Sequence, residues 1–220
     1  VNKKFGFSKS AGLLSQDGAE ADAYKLTHSL LKTCIAKGLQ VYDNTEVIQI
    51  RHFKNEVELI TATKKRIRAK KLIIACGYES QQYIPQKVQE LQASYAIASE
   101  PYEEKKFWYK NALIWETATP YLYLRTTSDN RIIIGGKDIP FSNPNKRDSL
   151  LNQKTKSLER SFAKLFPHIP FKTDFKWTGT FASTKDGLPY IGSIRQRPNT
   201  YFALGFGGNG ITFSSIAANI

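Results

Sequence analysis

Apolar residues recur along the chain with two periods. Leu26, Leu30, Leu31 and Cys34 fall at helical spacing, with Asp22 placed to cap the run and Gly38 to stop it, which predicts an amphipathic helix. Leu151, Leu158, Phe162 and Leu165 form a second stripe, capped by Asp148 and ended by Pro167. Elsewhere the apolar runs are short. Residues 39–42, 46–53, 57–61 and 66–75 read as brief strands, after a loop with a short strand at 8–16 and a turn at Asp17-Gly18. A Lys54-Asn55 turn joins two of them. Longer strands with interleaved aromatics follow at 91–99, 112–117, 121–126 and 131–136, the last two joined through Ser128-Asp129-Asn130. Leu72, Ile73, Ile74 and Ala75 are apolar in succession, as in a strand covered on both faces. An antiparallel sheet with one helix makes a natural second lobe, so the fold class is α+β.

Composition supports a folded chain: 220 residues, 41% hydrophobic and 12% aromatic, are enough for a sizeable core in one large domain or two lobes. The formal net charge of +13 would suit an acidic partner, yet the basic residues are scattered. Their densest group is Lys64, Lys65, Arg66, Arg68, Lys70 and Lys71, where Ile67 and Ala69 alternate with the charges as on a strand with one solvated face. No nucleic acid is expected, although a basic module holding a polyanion remains the alternative reading. Cys34 and Cys76 make neither a metal spacing nor a disulfide framework, and a reducing cytoplasm fits them. No metal site is expected, nor any membrane span. Without an initiator methionine or a signal-peptide pattern at its start, the chain reads as beginning inside a gene product.

The chemistry gathers near the C-terminal end. Tyr201 to Leu204 form an apolar run that enters Gly205-Phe206-Gly207-Gly208-Asn209-Gly210-Ile211-Thr212, and a helical pattern follows. Such a turn leaves backbone amides open to an electron-rich ligand, or is simply tight. Upstream stand Trp177-Thr178-Gly179 and then Thr184-Lys185-Asp186-Gly187-Leu188-Pro189-Tyr190-Ile191-Gly192.

Taken in order, W-x-G, T-x-D-G-x-P-x-I-G and G-x-x-x-N-G-I-T resemble the C-terminal end of FAD-dependent oxidoreductases of the D-amino-acid oxidase and glycine oxidase type. The resemblance runs through most of the chain. It implies an α/β parent enzyme that transfers a hydride from the carbon beside an amine to FAD, with a small-molecule amine or amino acid as substrate. It places residues 1–87 in an FAD-binding lobe, the first few lying near the other lobe. Residues 88–171 form the substrate lobe, and 172–220 return to the FAD lobe.

Cofactor contacts then fall on Val47, beside adenine; on Ala75 and Gly77, along the dinucleotide; and on Pro189, Gly205, Gly208, Asn209, Gly210, Ile211 and Thr212. Gly77 is equally read as a turn after a core strand. The amides of Gly210, Ile211 and Thr212 would stabilise the charge that reduced flavin gathers on its pyrimidine edge. FAD would be non-covalent, because the position of the family's flavin-linking cysteine falls near Gly179. No acid, base or nucleophile is required, so no catalytic side chain is nominated.

Two departures narrow the substrate. The arginine of W-x-G-x-R, which clamps a substrate carboxylate in the family, falls on Phe181, and a second arginine of glycine oxidase falls on Gly208. Tyr121, Tyr123 and Arg125 alternate onto one strand face; Tyr121 matches a substrate tyrosine of glycine oxidase, and Arg125 is either a replacement clamp or a surface residue. Trp177 is expected in the core, and His28, His52 and His168 are read as structural. The chain has no G-x-G-x-x-G, so it is expected to be a fragment that binds FAD poorly, is colourless when purified, and self-associates through its truncated face.

Overall fold

The computed structural model describes residues 2–103 and 107–220. In chain order the helices are α1 (Asn2–Phe5), α2 (Ala23–Ala36), α3 (Pro144–Ser149), α4 (Leu151–Leu165) and α5 (Gly210–Ala217). The strands are β1 (Val47–His52), β2 (Val57–Thr61), β3 (Arg66–Ala69), β4 (Leu72–Ile74), β5 (Glu90–Ser99), β6 (Ile114–Trp115), β7 (Leu122–Thr126), β8 (Ile132–Pro140), β9 (Thr173–Ser183), β10 (Tyr190–Ser193) and β11 (Thr200–Leu204). They form two compact units, each discontinuous in sequence: residues 1–20 with 91–181, and residues 21–90 with 182–220. The return expected at 172 thus falls ten residues later, because β9 is the edge strand of the first unit's sheet.

The first unit is a five-stranded sheet in the order β6-β7-β8-β5-β9. Leu122, Leu124 and Thr126 are buried while Tyr123 and Arg125 are only half-buried, so β7 shows the period of two that a sheet covered on one face produces. The covered face meets α4 through Leu158, Phe162 and Phe166, each fully buried. Phe166 stacks on Trp108 at 5.1 Å and takes the edge of Phe7 at 5.3 Å, which ties the first residues of the chain to this unit. Asp148 does not cap α4. It lies in α3 and accepts from Arg147 Nε at 2.7 Å, while Asn143 caps α3 by accepting from Lys146 N at 2.9 Å ahead of Pro144.

In the second unit, β1-β2-β3 make an antiparallel meander and β10-β11-β4 a mixed sheet. The segment expected as one strand from 66 to 75 is therefore two strands in two sheets. Lys70 and Lys71 mark the break, and β4 pairs parallel with β11, Leu72 to Thr200 and Ile74 to Phe202. Burial on both faces is also overturned: Ile74 is 4% exposed and Ile73 71%. Helix α2 has its Asp22 cap, accepting from Lys25 N at 3.0 Å, but buries none of its residues. The strands expected at 8–16 and 39–42 do not form. Asn199 bridges the two sheets of this unit, its Nδ2 donating to the carbonyls of Phe53 and Lys54, both at 3.1 Å.

Packing at Phe166 and exposure at Ile73 set opposite outcomes. Phe166→Ala destabilises the chain by about 3–5 kcal/mol in urea unfolding, whereas Ile73→Ala shifts it by less than about 0.5 kcal/mol.

Candidate functional site

Strand β11 is hydrogen-bonded on both sides, to β10 antiparallel and to β4 parallel, so the chain leaving it at Leu204 has a fixed direction. Gly205 then turns at φ +74, and a Cβ there would stand 2.6 Å from Thr184 Cγ2, so only glycine fits. Gly207 N–H donates to Ala182 O at 3.0 Å and pins the turn against the end of β9. Helix α5 begins at once. Phe213 N–H donates to Asn209 O at 3.0 Å, but the Asn209 side chain does not cap the helix. The amides of Gly210, Ile211 and Thr212 have no acceptor among the described residues. A Cβ at Gly207, Gly208 or Gly210 would meet nothing within 4 Å, so those amides are open to approach. Three free donors at a helix N-terminus form a site for negative charge.

Because β4 and β11 are parallel, their carboxyl ends lie at the same edge of the sheet, where ligands of open α/β sheets bind. The structure therefore brings exposed Ala75 and Gly77 to the edge that carries residues 205–212. Gly77, at φ +59, starts a single 3-10 segment. Pro189 stands just before β10, whose Tyr190 pairs with Leu204. Val47 is elsewhere in the same unit. With Glu46, Gln49, His52, Gln82 and Arg197 beside the apolar Ile50, Ile74 and Phe202, it lines a cavity of about 500 Å³ whose wall is more polar than apolar. A bare amide turn, a glycine-bordered strand end and this cavity fit a flavin dinucleotide.

Tyr121, Tyr123 and Arg125 lie in the first unit, on the sheet face opposite α4. Phe181 does not join them. It is on β9, three strand spacings from β7, or about 14 Å. Tyr121 lies between Trp115 at 6.1 Å and Tyr123 at 6.2 Å, ring centre to ring centre. Across the β7–β8 register Tyr123 faces Gly135, where any Cβ would run into the phenol ring. Gly136, at φ +125, and Lys137, at φ +58, bulge the strand and deliver Asp138 beside Tyr121. Burial pushes the Tyr121 phenol up from its ordinary pKa, and a side-chain hydrogen bond to Asp138 and that carboxylate's charge push it further. Burial likewise raises Tyr123, against a lowering hydrogen bond from Ser94.

Asp138 was not among the residues expected from the sequence. Its only signal there is one acid after Gly135-Gly136-Lys137, interrupting an apolar strand. Trp177 was expected in the core but is 43% exposed, with Phe175 at 55%, because this sheet carries its helix on one face only. His52 Nδ1 is 3.1 Å from Thr200 Oγ1 and 3.3 Å from Pro198 O, a joint between β1 and β11.

Residues 2–220 match the family described as FAD dependent oxidoreductase. The chain is 27% identical over 213 residues to γ-glutamylputrescine oxidoreductase of Escherichia coli (strain K12), covering 91% of this chain and 44% of that protein. L-proline dehydrogenase from P. horikoshii superposes with a TM-score of 0.75 at 21% identity, over 88% of this chain and 52% of that one. Glycine oxidase from Geobacillus kaustophilus gives 0.67 at 22%, over 90% and 52%. The chain spans about half the length of the relatives it matches. It belongs to the FAD dependent oxidoreductase family.

Two outcomes follow from the tyrosine face. Gly135→Ala lowers stability by about 1–3 kcal/mol in urea unfolding, and adding Tyr123→Ala relieves part of that loss. Because the folded fold holds Tyr121 protonated while an unfolded phenol ionises near its ordinary pKa of about 10, stability drops as pH rises from there toward the folded value. Tyr121→Phe removes that component of the alkaline loss, measured as unfolding free energy against pH.

Proposed function

For this member of the FAD dependent oxidoreductase family, we propose oxidation of a C–N bond in a small amine or amino acid, with non-covalent FAD as hydride acceptor. The observation that carries the reading is the uncapped start of α5, where three amides have no acceptor among the described residues, at the end of a strand held on both sides. When bound, FAD would supply a two-electron acceptor for the hydride on the carbon beside nitrogen, so that an amine would leave as an imine and a proton, and water would convert the imine to carbonyl and amine. The amides of Gly210, Ile211 and Thr212 would face the electron-rich edge and stabilise negative charge there without reorganising. The Val47 cavity would take adenine, and Ala75 and Gly77 would border the dinucleotide between. The unit of residues 21–90 and 182–220 is thus the cofactor-binding part.

The unit of residues 1–20 and 91–181 is the substrate part, with Tyr121 and Tyr123 as its binding face. Arg125 lies two residues further along β7, where it donates to the Thr126 carbonyl at 3.5 Å. Neither position of the family's carboxylate clamp holds an arginine, which favours amines over simple amino acids. No helix among the described residues is long and apolar enough to cross a membrane. Two free, exposed cysteines favour the cytoplasm as the working compartment.

The test is flavin reduction in the FAD-loaded whole protein with a panel of primary and secondary amines and amino acids. Bleaching of the flavin by at least one amine is expected; none by any member sinks the reading. Asn209→Asp separates stability from function. A carboxylate at the helix start raises the melting temperature of the chain, by about 0.3–1 kcal/mol of stability, and slows flavin reduction at least tenfold by crowding charge against charge.

A further inference from the structure

The tyrosine face contains a feature that neither the family nor the oxidation chemistry accounts for, the carboxylate of Asp138. Its Oδ1 is closed off from solvent and has no hydrogen-bond partner among the described residues. Lys154, whose ammonium lies in the field of this carboxylate, makes no hydrogen bond to Oδ1: it donates to Lys137 O at 2.6 Å and sits 5.1 Å over the Tyr95 ring. Asp138 stands beside the Tyr121 hydroxyl, at the point where the Gly136–Lys137 bulge brings β8 against β7. Lys137 N–H donates to Tyr121 O at 3.3 Å there.

A phenol has one proton and two lone pairs. A tyrosine that donates that proton to a ligand can hold a carboxylate; one whose proton points to a neighbouring anion presents only acceptor lone pairs. We propose that Asp138 sets the substrate class of this face. It draws the Tyr121 proton to itself, so that the phenol oxygen accepts from the N–H of an amine without a carboxylate. This inference rests on the amine-oxidation reading and names its substrate class.

Three features of the face agree. The Asp138 charge repels a substrate carboxylate and attracts an ammonium. Trp115 and Tyr123 flank Tyr121 with rings, suited to an alkyl chain or a cation. Arg125, the one arginine on β7, is four residues from Tyr121, about 13 Å along the strand, too far to clamp a group held by that phenol.

Propylamine and glycine test this, because they share an aminomethyl group and differ by an ethyl against a carboxylate. Binding of each to the FAD-loaded whole protein is measured by anaerobic calorimetry, with the flavin spectrum recorded in parallel. The native protein is expected to bind propylamine at least tenfold more tightly than glycine. In Asp138→Asn that ratio falls at least fivefold, since the phenol proton is released and the repulsion removed. Tyr121→Phe reduces the effect of Asp138→Asn to less than twofold, a coupling that a purely structural role would not produce.

A native preference for glycine overturns the inference, and so does a ratio unchanged in Asp138→Asn. The native ratio alone decides should the variants not fold. An Asp138-dependent preference without flavin reduction by any amine would leave this assignment standing and remove the oxidation chemistry. Reduction by both ligands with no Asp138-dependent preference would do the reverse.

Discussion

The whole functional reading depends on strand β11 being held from both sides. A strand paired on one side only can slip or fray, and a slip of one residue would reverse every side chain along it. With β10 antiparallel on one side and β4 parallel on the other, Leu204 is fully buried and Gly205 can turn in one direction only. The amides that begin α5 inherit that direction. Their donors are presented by backbone alone, so no side-chain rotamer has to be frozen to aim them. The uncapped helix start costs about 1 kcal/mol of the stability a capping side chain would contribute, a common compromise where a helix end serves a ligand.

Much of this was readable from local patterns. The Asp22 cap, the Lys54-Asn55 and Ser128-Asp129-Asn130 turns and the alternation of Tyr121, Tyr123 and Arg125 are short-range signals, and each is present in the structure. What misled were signals that depend on distant partners. Residues 66–75 look like one strand because nothing in ten residues reveals that the first half pairs with β2 and the second with β11, some 128 positions away. Trp177 looks like core because a large aromatic on a strand usually is; the sheet leaves that face without a helix. Asp148 looks like a cap, but Asn143 starts an extra turn ahead of it. Asp138 carried only the faint signal of an acid interrupting an apolar strand, since its meaning comes from a bulge that sequence alone does not announce.

The two glycines of β8 do unequal work. Gly135 makes room for a ring, and Gly136 takes a backbone conformation that other residues avoid. Together they convert an ordinary antiparallel pair into a shelf on which a phenol and a carboxylate meet. Under the role proposed for Tyr121 and Asp138, ligand selection and strand geometry are coupled in this sheet: a change that straightens β8 would alter which ligands are accepted before it altered how firmly the sheet holds.

Both units are assembled from segments far apart along the chain, and this bears on the order in which they form. Most of the first unit is one stretch, 91–181, whereas β4 waits for β11. On the ribosome, the helix-backed sheet gains its last strand at Ser183, shortly before β11 is made at Thr200–Leu204, and the segment of residues 72–74 must stay unpaired through more than a hundred further additions. The lysine-rich flank of that segment then has a use during synthesis, keeping an unfinished edge from sticking to its neighbours.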